Sequence, residues 1–254
     1  MASIGEDITR KLIESSGIKN GMKVLDLGCG NGNVTFLLAD YIGQDGLIVG
    51  IDSNENAINE AKLKSKKLGL SNIFFHLGNL DQDFKLGYSG FDAVIVRRVL
   101  MYLPNPKKTI QTTLNYLKPK GLFLAQENDL SLTPIGLKSM PEHIKIISLI
   151  KKTLEKENVN LKMGLELNTI LTDVGLSVEK VWVETAISTP NQPTPWAYLG
   201  KMMKDRMLEQ KVINDVSEIG LETLEKRLSE ERVINQSTFI TDLVFCGIGR
   251  KITS

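Results

Sequence analysis

Val24-Leu25-Asp26-Leu27-Gly28-Cys29-Gly30-Asn31-Gly32 is the stretch that decides the fold. A short apolar run, Met22 to Leu27, ends in a cluster of glycines, and Val34 to Ile42 then reads as a helix. A strand that enters a tight glycine turn and leaves it as a helix is the opening of a βαβ unit. Glycine at such a turn lets the backbone double back and lets a ligand lie directly against the main chain.

Moving outward, the same alternation repeats. Leu47 to Ile51 is a second buried strand, closed by Asp52, and Glu55 to Leu68 is a predicted helix with Ala57, Ile58, Ala61 and Leu68 on one face. Ile73 to His76 and Phe91 to Val96 are further strands. Lys107 to Leu117 is a predicted helix, Pro119-Lys120-Gly121 a turn, and Leu122 to Ala125 a fifth strand. Upstream, Ile8 to Ser16 has helical spacing and is broken by Gly17 and Asn20-Gly21. Strands alternating with helices predict an α/β fold with a mostly parallel sheet covered on both faces. Ligands of such sheets bind beyond the carboxyl ends of the strands, where the strand order reverses. The places to search are therefore just after Leu27, Ile51, Phe75, Val96 and Ala125.

The second half is less regular. Pro141 to Glu157 and Leu165 to Val174 read as helices, Val178 to Val183 as a strand, and Thr189 to Pro195 as a Pro-rich loop. Trp196 to Arg232 is largely helical and charged, and Phe239 to Ile248 is a closing strand, the seventh. There is no internal repeat and no low-complexity linker. The expectation is one domain over 1–254, with segments of about 128–160 and 189–232 inserted as a helical lid over the active edge of the sheet.

Composition narrows the function classes. The 254 residues are 42% apolar and 24% charged, which is the mix of an ordinary globular chain and excludes a disordered one. Lys and Arg number 31 against 30 Asp and Glu, so the net charge of +1 supplies no broad positive field for duplex nucleic acid. The 2 cysteines, Cys29 and Cys246, cannot staple a secreted scaffold or supply a cysteine zinc site. No apolar run approaches the ~20 residues of a membrane span. Met1 to Arg10 contains Glu6 and Asp7 and no apolar core, so it does not read as a signal peptide. A cytoplasmic protein is expected.

The acids around the glycine turn choose its ligand. A dinucleotide site wants a third glycine where this chain has Asn33. Asp26, at the strand end, would repel a pyrophosphate but suits a ligand that carries ammonium and sulfonium charge. Asp52, twenty residues after Gly32, ends the next strand, where a carboxylate accepts two hydrogen bonds from a ribose diol. Gly78-Asn79-Leu80 follows the third strand, where an adenine can be held by the Asn79 side chain or by backbone groups.

These pieces, with Gly50-Ile51-Asp52-Ser53, Phe91-Asp92-Ala93-Val94 and the Leu117 to Gly121 turn into Leu122, resemble the class I S-adenosylmethionine-dependent methyltransferases in order and spacing. The resemblance covers roughly residues 8 to 127 and, more loosely, the strands after 175. It is nearest to the small-molecule branch that includes ubiquinone- and menaquinone-biosynthesis enzymes and natural-product methyltransferases. It implies a Rossmann-like, doubly wound, seven-stranded sheet and S-adenosyl-L-methionine as cofactor. Gly28, Cys29, Gly30 and Gly32 would approach its methionyl part, with Asp26 orienting the ammonium through water. Asp52 would hold the ribose hydroxyls with Ser53 beside them. Asn56 stands where members often have a methionine. Asn79, next to Leu80, replaces the more usual aspartate near the adenine amine, and its amide oxygen can still accept. Arg97 stands where members have a small polar residue, and could pair with the cofactor carboxylate.

Methyl transfer is an in-line displacement that proximity and orientation can drive, with a general base needed mainly when the acceptor is a hydroxyl. His143, in the variable segment after the fifth strand, is the base candidate, weighed against a surface helix histidine; His76 reads as structural. Tyr102, where relatives often carry a histidine, and Glu127, just beyond the fifth strand, are the other catalytic candidates. Met202, Met203 and Met207, with Trp196 and Tyr198, read equally as an acceptor pocket or a helix core. No His, Cys and carboxylate cluster has ligand spacing, so no metal is expected. The expected partner is a small-molecule methyl acceptor, neither nucleic acid nor membrane, and a homodimer stays open. An arsenite methyltransferase would need more thiols. A nucleic-acid methyltransferase would be expected to show a basic, aromatic-rich patch or an Asn/Asp-Pro-Pro-Tyr-like site after the fourth strand, where this chain has Arg97-Arg98-Val99-Leu100. The remaining alternatives are a protein or nucleic-acid methyltransferase and a cofactor-binding or regulatory protein without turnover.

Overall fold

The computed structural model describes residues 4–82, 84–136, 140–236 and 238–252. In chain order its elements are α1 (Ile4–Ser16), β1 (Lys23–Leu27), α2 (Asn33–Ile42), β2 (Leu47–Asp52), α3 (Glu55–Lys67), β3 (Ile73–Leu77), β4 (Phe91–Arg97), α4 (Pro106–Leu114), β5 (Leu117–Asp129), α5 (Pro141–Lys156), α6 (Met163–Asp173), β6 (Leu176–Ser188), α7 (Trp196–Glu209), α8 (Leu221–Asn235) and β7 (Phe239–Lys251). The chain divides into two compact units. The first is Met1–Glu127 with Met163–Glu184 and Phe245–Ser254; the second is Asn128–Lys162 with Thr185–Val244.

The seven strands form one sheet in the order β3-β2-β1-β4-β5-β7-β6. The pairs β1–β2, β1–β4, β2–β3 and β4–β5 are parallel, with Leu25 opposite Val49 on one side and Val94 on the other. Strands buried on both faces read as continuous apolar runs. Val24, Leu25, Leu27 and the whole of Ala93–Val96 are accordingly fully buried. The order runs outward from β1 through β2 to β3 and then restarts at β4 on the other side of β1. The switch point thus lies at the carboxyl ends of β1 and β4. Helices pack onto this sheet through apolar faces, with Leu38 and Ile42 of α2 and Ile58 and Ala61 of α3 excluded from solvent. Asn54 and Asn105 cap α3 and α4 by accepting from the Ala57 and Lys108 amides at 3.1 and 3.0 Å.

One boundary differs from the sequence reading. The helix expected through Leu117 stops at Leu114, and Leu117 already pairs with Phe91 in β5. Leu114 and Leu117 satisfy a helical period, yet Leu117 is also the first inward residue of a strand. The Pro119-Lys120-Gly121 turn lies inside β5 as an irregularity: the register moves from Phe91 opposite Leu117 to Ala93 opposite Leu122, and Lys120 takes φ 62°.

In the second unit α5, α7 and α8 pack on one another around Ile146, Ile150, Met203, Met207, Leu224 and Leu228. Gly200 permits close approach of α7, since a Cβ there would lie 2.8 Å from Ile146 Cδ1. Arg206 pairs with Glu157, and Arg227 with Glu142. The Trp196 to Arg232 stretch resolves into α7, a 3-10 turn at Val216–Glu218 with an Asp215 and Glu218 capping box, and α8. The methionine and aromatic stripe splits: Trp196, Met203 and Met207 are core, whereas Tyr198 and Met202 are exposed. Among the described residues no helix is long and apolar enough to cross a membrane.

Candidate active site

The β1–α2 turn folds back on the end of β2. The amides of Gly28 and Cys29 both donate to the Ile51 carbonyl, at 2.8 and 3.1 Å. Gly28, Gly30 and Gly32 have φ of 66°, 53° and 87°, a region that favours glycine. Their surroundings differ. A Cβ on Gly28 would sit 2.3 Å from Val99 Cγ2, and one on Gly32 would sit 2.6 Å from Phe36 Cε2. A Cβ on Gly30 would meet nothing within 4 Å, so the side-chain face of the loop is open there.

Asp52 braces the loop from the next strand. Its Oδ2 accepts from the Gly30 amide and its Oδ1 from the Asn54 amide, both at 2.8 Å. Each oxygen accepts one of these bonds and keeps further lone-pair capacity for a ligand hydroxyl. Beside it lies a cavity of about 320 Å³, whose lining includes Gly28, Asp52, Ser53, Asn79, Leu80 and Tyr102. The strand ends β1 and β2 and the segment after β3 thus converge on one space, as their spacing in the sequence implied. Asn79 lines it, but its Oδ1 already accepts from the Asp81 amide at 2.9 Å. Asn56 is exposed on the first turn of α3 and is not among the lining residues.

Asp26 lies beneath the loop at 1% exposure and accepts a 2.6 Å hydrogen bond from Thr35 Oγ1. Burial pushes its carboxyl up to about 7, against the pull of Thr35 and of Arg97. Arg97 opens onto a separate cavity of about 470 Å³, lined among others by Glu6, Arg10, Asn33, Phe36 and Lys64. Burial and then Arg98 lower the Arg97 guanidinium, while Asp26 and Glu6 raise it. Cys29 turns its thiol inward, where a Cβ on Gly50 would lie 2.8 Å from its Sγ, and burial raises its pKa. Its amide donates to Ile51 and its carbonyl accepts from the Gly32 amide at 2.9 Å, so its backbone polar groups serve the turn itself.

The three catalytic candidates lie in different settings. Tyr102 is half exposed at the cavity. Glu127 is fully buried, and its Oε1 accepts from the amides of Val99 and Leu100 at 2.9 and 2.8 Å. His143 belongs to the second unit and is not a surface histidine: it is fully buried, with Nδ1 2.6 Å from Glu231 Oε2 and its ring edge-on to Phe239. Burial lowers its pKa, and Glu231 opposes that shift. The same Glu231 accepts from the amides of Glu142 and His143 and so caps α5 from α8, a pairing of residues 88 apart that no local pattern signals. Arg98 and Val99 also line the Asp52 cavity and escaped the sequence reading. Arg98 takes φ 56°, which turns the chain at the strand end and breaks the alternation that would have placed it.

A family model described as a methyltransferase domain matches residues 18–200. The chain belongs to that family. The methyltransferase family match encloses the glycine loop, Asp52, Asn79 and Glu127, and ends within α7. The chain is 32% identical over 126 residues to the demethylmenaquinone methyltransferase of Lactococcus lactis, a stretch that is 49% of each protein. It is 26% identical over 170 residues to a 23S rRNA (uracil(1939)-C(5))-methyltransferase of Acinetobacter baumannii, covering 61% of this chain and 37% of that one. The chain therefore spans about half the length, or less, of these curated relatives. A putative methyltransferase from Bacillus halodurans shares the fold, with a TM-score of 0.64 at 16% identity over 97% of this chain and 100% of that one.

Proposed function

We propose that this chain binds S-adenosylmethionine at the β1–β4 switch point and transfers its methyl group to a small-molecule acceptor. The observation that carries the reading is Asp52 held at the end of β2 against an open glycine edge, with acceptor capacity to spare on both oxygens. The cavity beside it, about 320 Å³, falls within the range of roughly 300–1,000 Å³ usual for small-ligand sites. The cofactor, when bound, supplies a methyl carbon activated by a positive sulfur. Asp52 and Ser53 would hold the ribose and the Asn79–Leu80 segment the adenine. The Gly28–Gly32 backbone would take the methionyl part, with Asp26 beneath it and Arg97 for the carboxylate. The Asp52 carboxylate beside the cavity favours a cationic ligand over a pyrophosphate.

Tyr102, half exposed at the cavity, is proposed to face the acceptor. With its Nδ1 proton shared with Glu231, His143 would keep Nε2 as its basic nitrogen, an atom that is enclosed within the second unit. Glu231 is thus the group that would orient this base for a hydroxyl acceptor. The demethylmenaquinone relative supports a small acceptor, and the near-neutral charge accords with one. The rRNA methyltransferase relative favours a nucleic-acid acceptor as the second reading. A cytoplasmic location and a chain that uses no metal complete the proposal.

The test is transfer of labelled methyl from S-adenosylmethionine, with a chelator present, to a panel of phenols, quinols and amines and to ribosomal RNA. Label in a small product supports the reading; label in RNA alone, or loss of activity to the chelator, overturns it. Asp52→Ala should weaken cofactor binding by about 1.5–3 kcal/mol, the scale of hydrogen bonds to a charged group. Unchanged affinity by calorimetry would sink the assignment of Asp52.

A further inference from the structure

The wall of the Asp52 cavity is built by a turn with no cap of its own. After Arg97 the chain must leave the sheet at once, and it does so through Arg98, at φ 56°, into the 3-10 turn Leu100–Tyr102. Arg98, Val99, Tyr102 and Leu103 of this turn line the cavity. The first amides of any helical turn have no partner within it and need an outside acceptor. Ser, Asp or Asn at the start would supply one. Here the position is Val99, which has no side chain that can accept.

The missing acceptor arrives from the neighbouring strand. β4 and β5 are in register with Arg97 opposite Gln126, and the Arg98 amide donates to the Gln126 carbonyl at 2.8 Å. The next residue of β5 is Glu127, whose Oε1 takes both the Val99 and Leu100 amides. That contact fixes Val99, and Val99 fills the space that Gly28 leaves by having no Cβ. A chain of contact therefore runs from Glu127 through Val99 to the glycine loop.

We infer that Glu127 is a positioning residue: it holds the Val99–Leu100 turn against Gly28 and so sets the width of the cavity, without touching the ligand. This rests on the proposed cofactor site and deepens it. Glu127 acts through a carboxyl oxygen as acceptor, so an amide oxygen in the same place can do the same work. The group is enclosed, with Arg98 as its nearby charge; burial raises its pKa to about 7, while the amides of Val99, Leu100 and Met101 pull it down. One carboxyl oxygen accepting two amides is a role that needs an acceptor rather than a charge.

The test compares Glu127→Gln with Glu127→Leu in the full chain. Amide hydrogen exchange reads the two anchored N–H groups directly, whatever ligand the cavity takes. In Glu127→Leu, protection of the Val99 and Leu100 amides should be lost. The KM for S-adenosylmethionine should rise about tenfold, with kcat at saturation changed by no more than about threefold, the pattern of lost ground-state binding. Glu127→Gln should keep the amide protection and bind within about threefold of wild type. Protected amides in Glu127→Leu would overturn the inference, as would Glu127→Gln losing protection or affinity as Glu127→Leu does. Should Glu127→Leu fail to fold, the Glu127→Gln result decides. A wild-type chain that does not bind S-adenosylmethionine would refute the cofactor reading instead, and the exchange data would still settle the role of Glu127.

Discussion

Asp26 is a carboxyl that the fold keeps dry, and this gives it a pH signature. Its pKa stands at about 7 against 3.8 in the unfolded chain. Between those values the folded state holds a proton that the unfolded state has released. Linkage then requires stability to fall as pH rises from about 4 to about 7, and to level off above that. Glu127, also raised to about 7 by burial, adds to the same trend. Asp26→Asn keeps an acceptor for Thr35 and removes the titration. Its urea midpoint should match wild type near pH 4 and exceed it increasingly up to about pH 8. A difference that does not change with pH would show that Asp26 does not titrate in this window. Asp26 and Asp52 stand out in the sequence because each lies at or next to the end of an apolar strand that runs into a turn; of the two, Asp52 lines the cavity and Asp26 is buried. Thr35 and Glu231 do not stand out, since a hydroxyl one turn into a helix or an acid 88 residues from its partner leaves no local mark.

At the scale of the element, the glycine loop separates two costs that a glycine can carry. Gly28 has a left-handed φ of 66° and Val99 Cγ2 only 2.3 Å from where a Cβ would stand. Gly28→Ala should destabilise the chain by about 2–4 kcal/mol, combining left-handed strain with overpacking. Gly30 has φ 53°, and a Cβ there would meet nothing within 4 Å. Gly30→Ala should cost only about 1–2 kcal/mol in stability. Its methyl group would stand on the open edge proposed for the cofactor, so binding should suffer more than folding. Denaturant titration and calorimetry on both variants check this; equal losses in both measurements would erase the distinction. The strands flanking this loop were legible as short continuous apolar runs, and the helices as longer stretches with a 3.6-residue period. The α4–β5 boundary was not: Leu114, Leu117 and Leu122 fit either pattern, and only the pairing of Leu117 with Phe91 decides it.

At the scale of the whole molecule, periodicity reveals elements but not which of them share a core. The inserted segments were visible as departures from strand–helix alternation, and both fall within the second unit, which also takes in the adjoining ends of β5, β6 and β7. This changes which side chains can test whether that unit takes part in the reaction. Trp196 and Met207 belong to its core, at 5% and 0% exposure. Trp196→Ala would cost about 3–5 kcal/mol, and any change in activity would be entangled with unfolding. Tyr198 and Met202, on the same helix, are 66% and 60% exposed, more apolar surface than α7 needs to stay folded. Exposed substitutions of this kind shift stability by about 0.5 kcal/mol or less. Tyr198→Ala and Met202→Ala should therefore leave the unfolding midpoint and the S-adenosylmethionine affinity unchanged. If the second unit supplies the acceptor groups, the same variants should raise the acceptor KM or change which acceptor is methylated. Acceptor kinetics identical to wild type in both variants would remove α7 from acceptor binding.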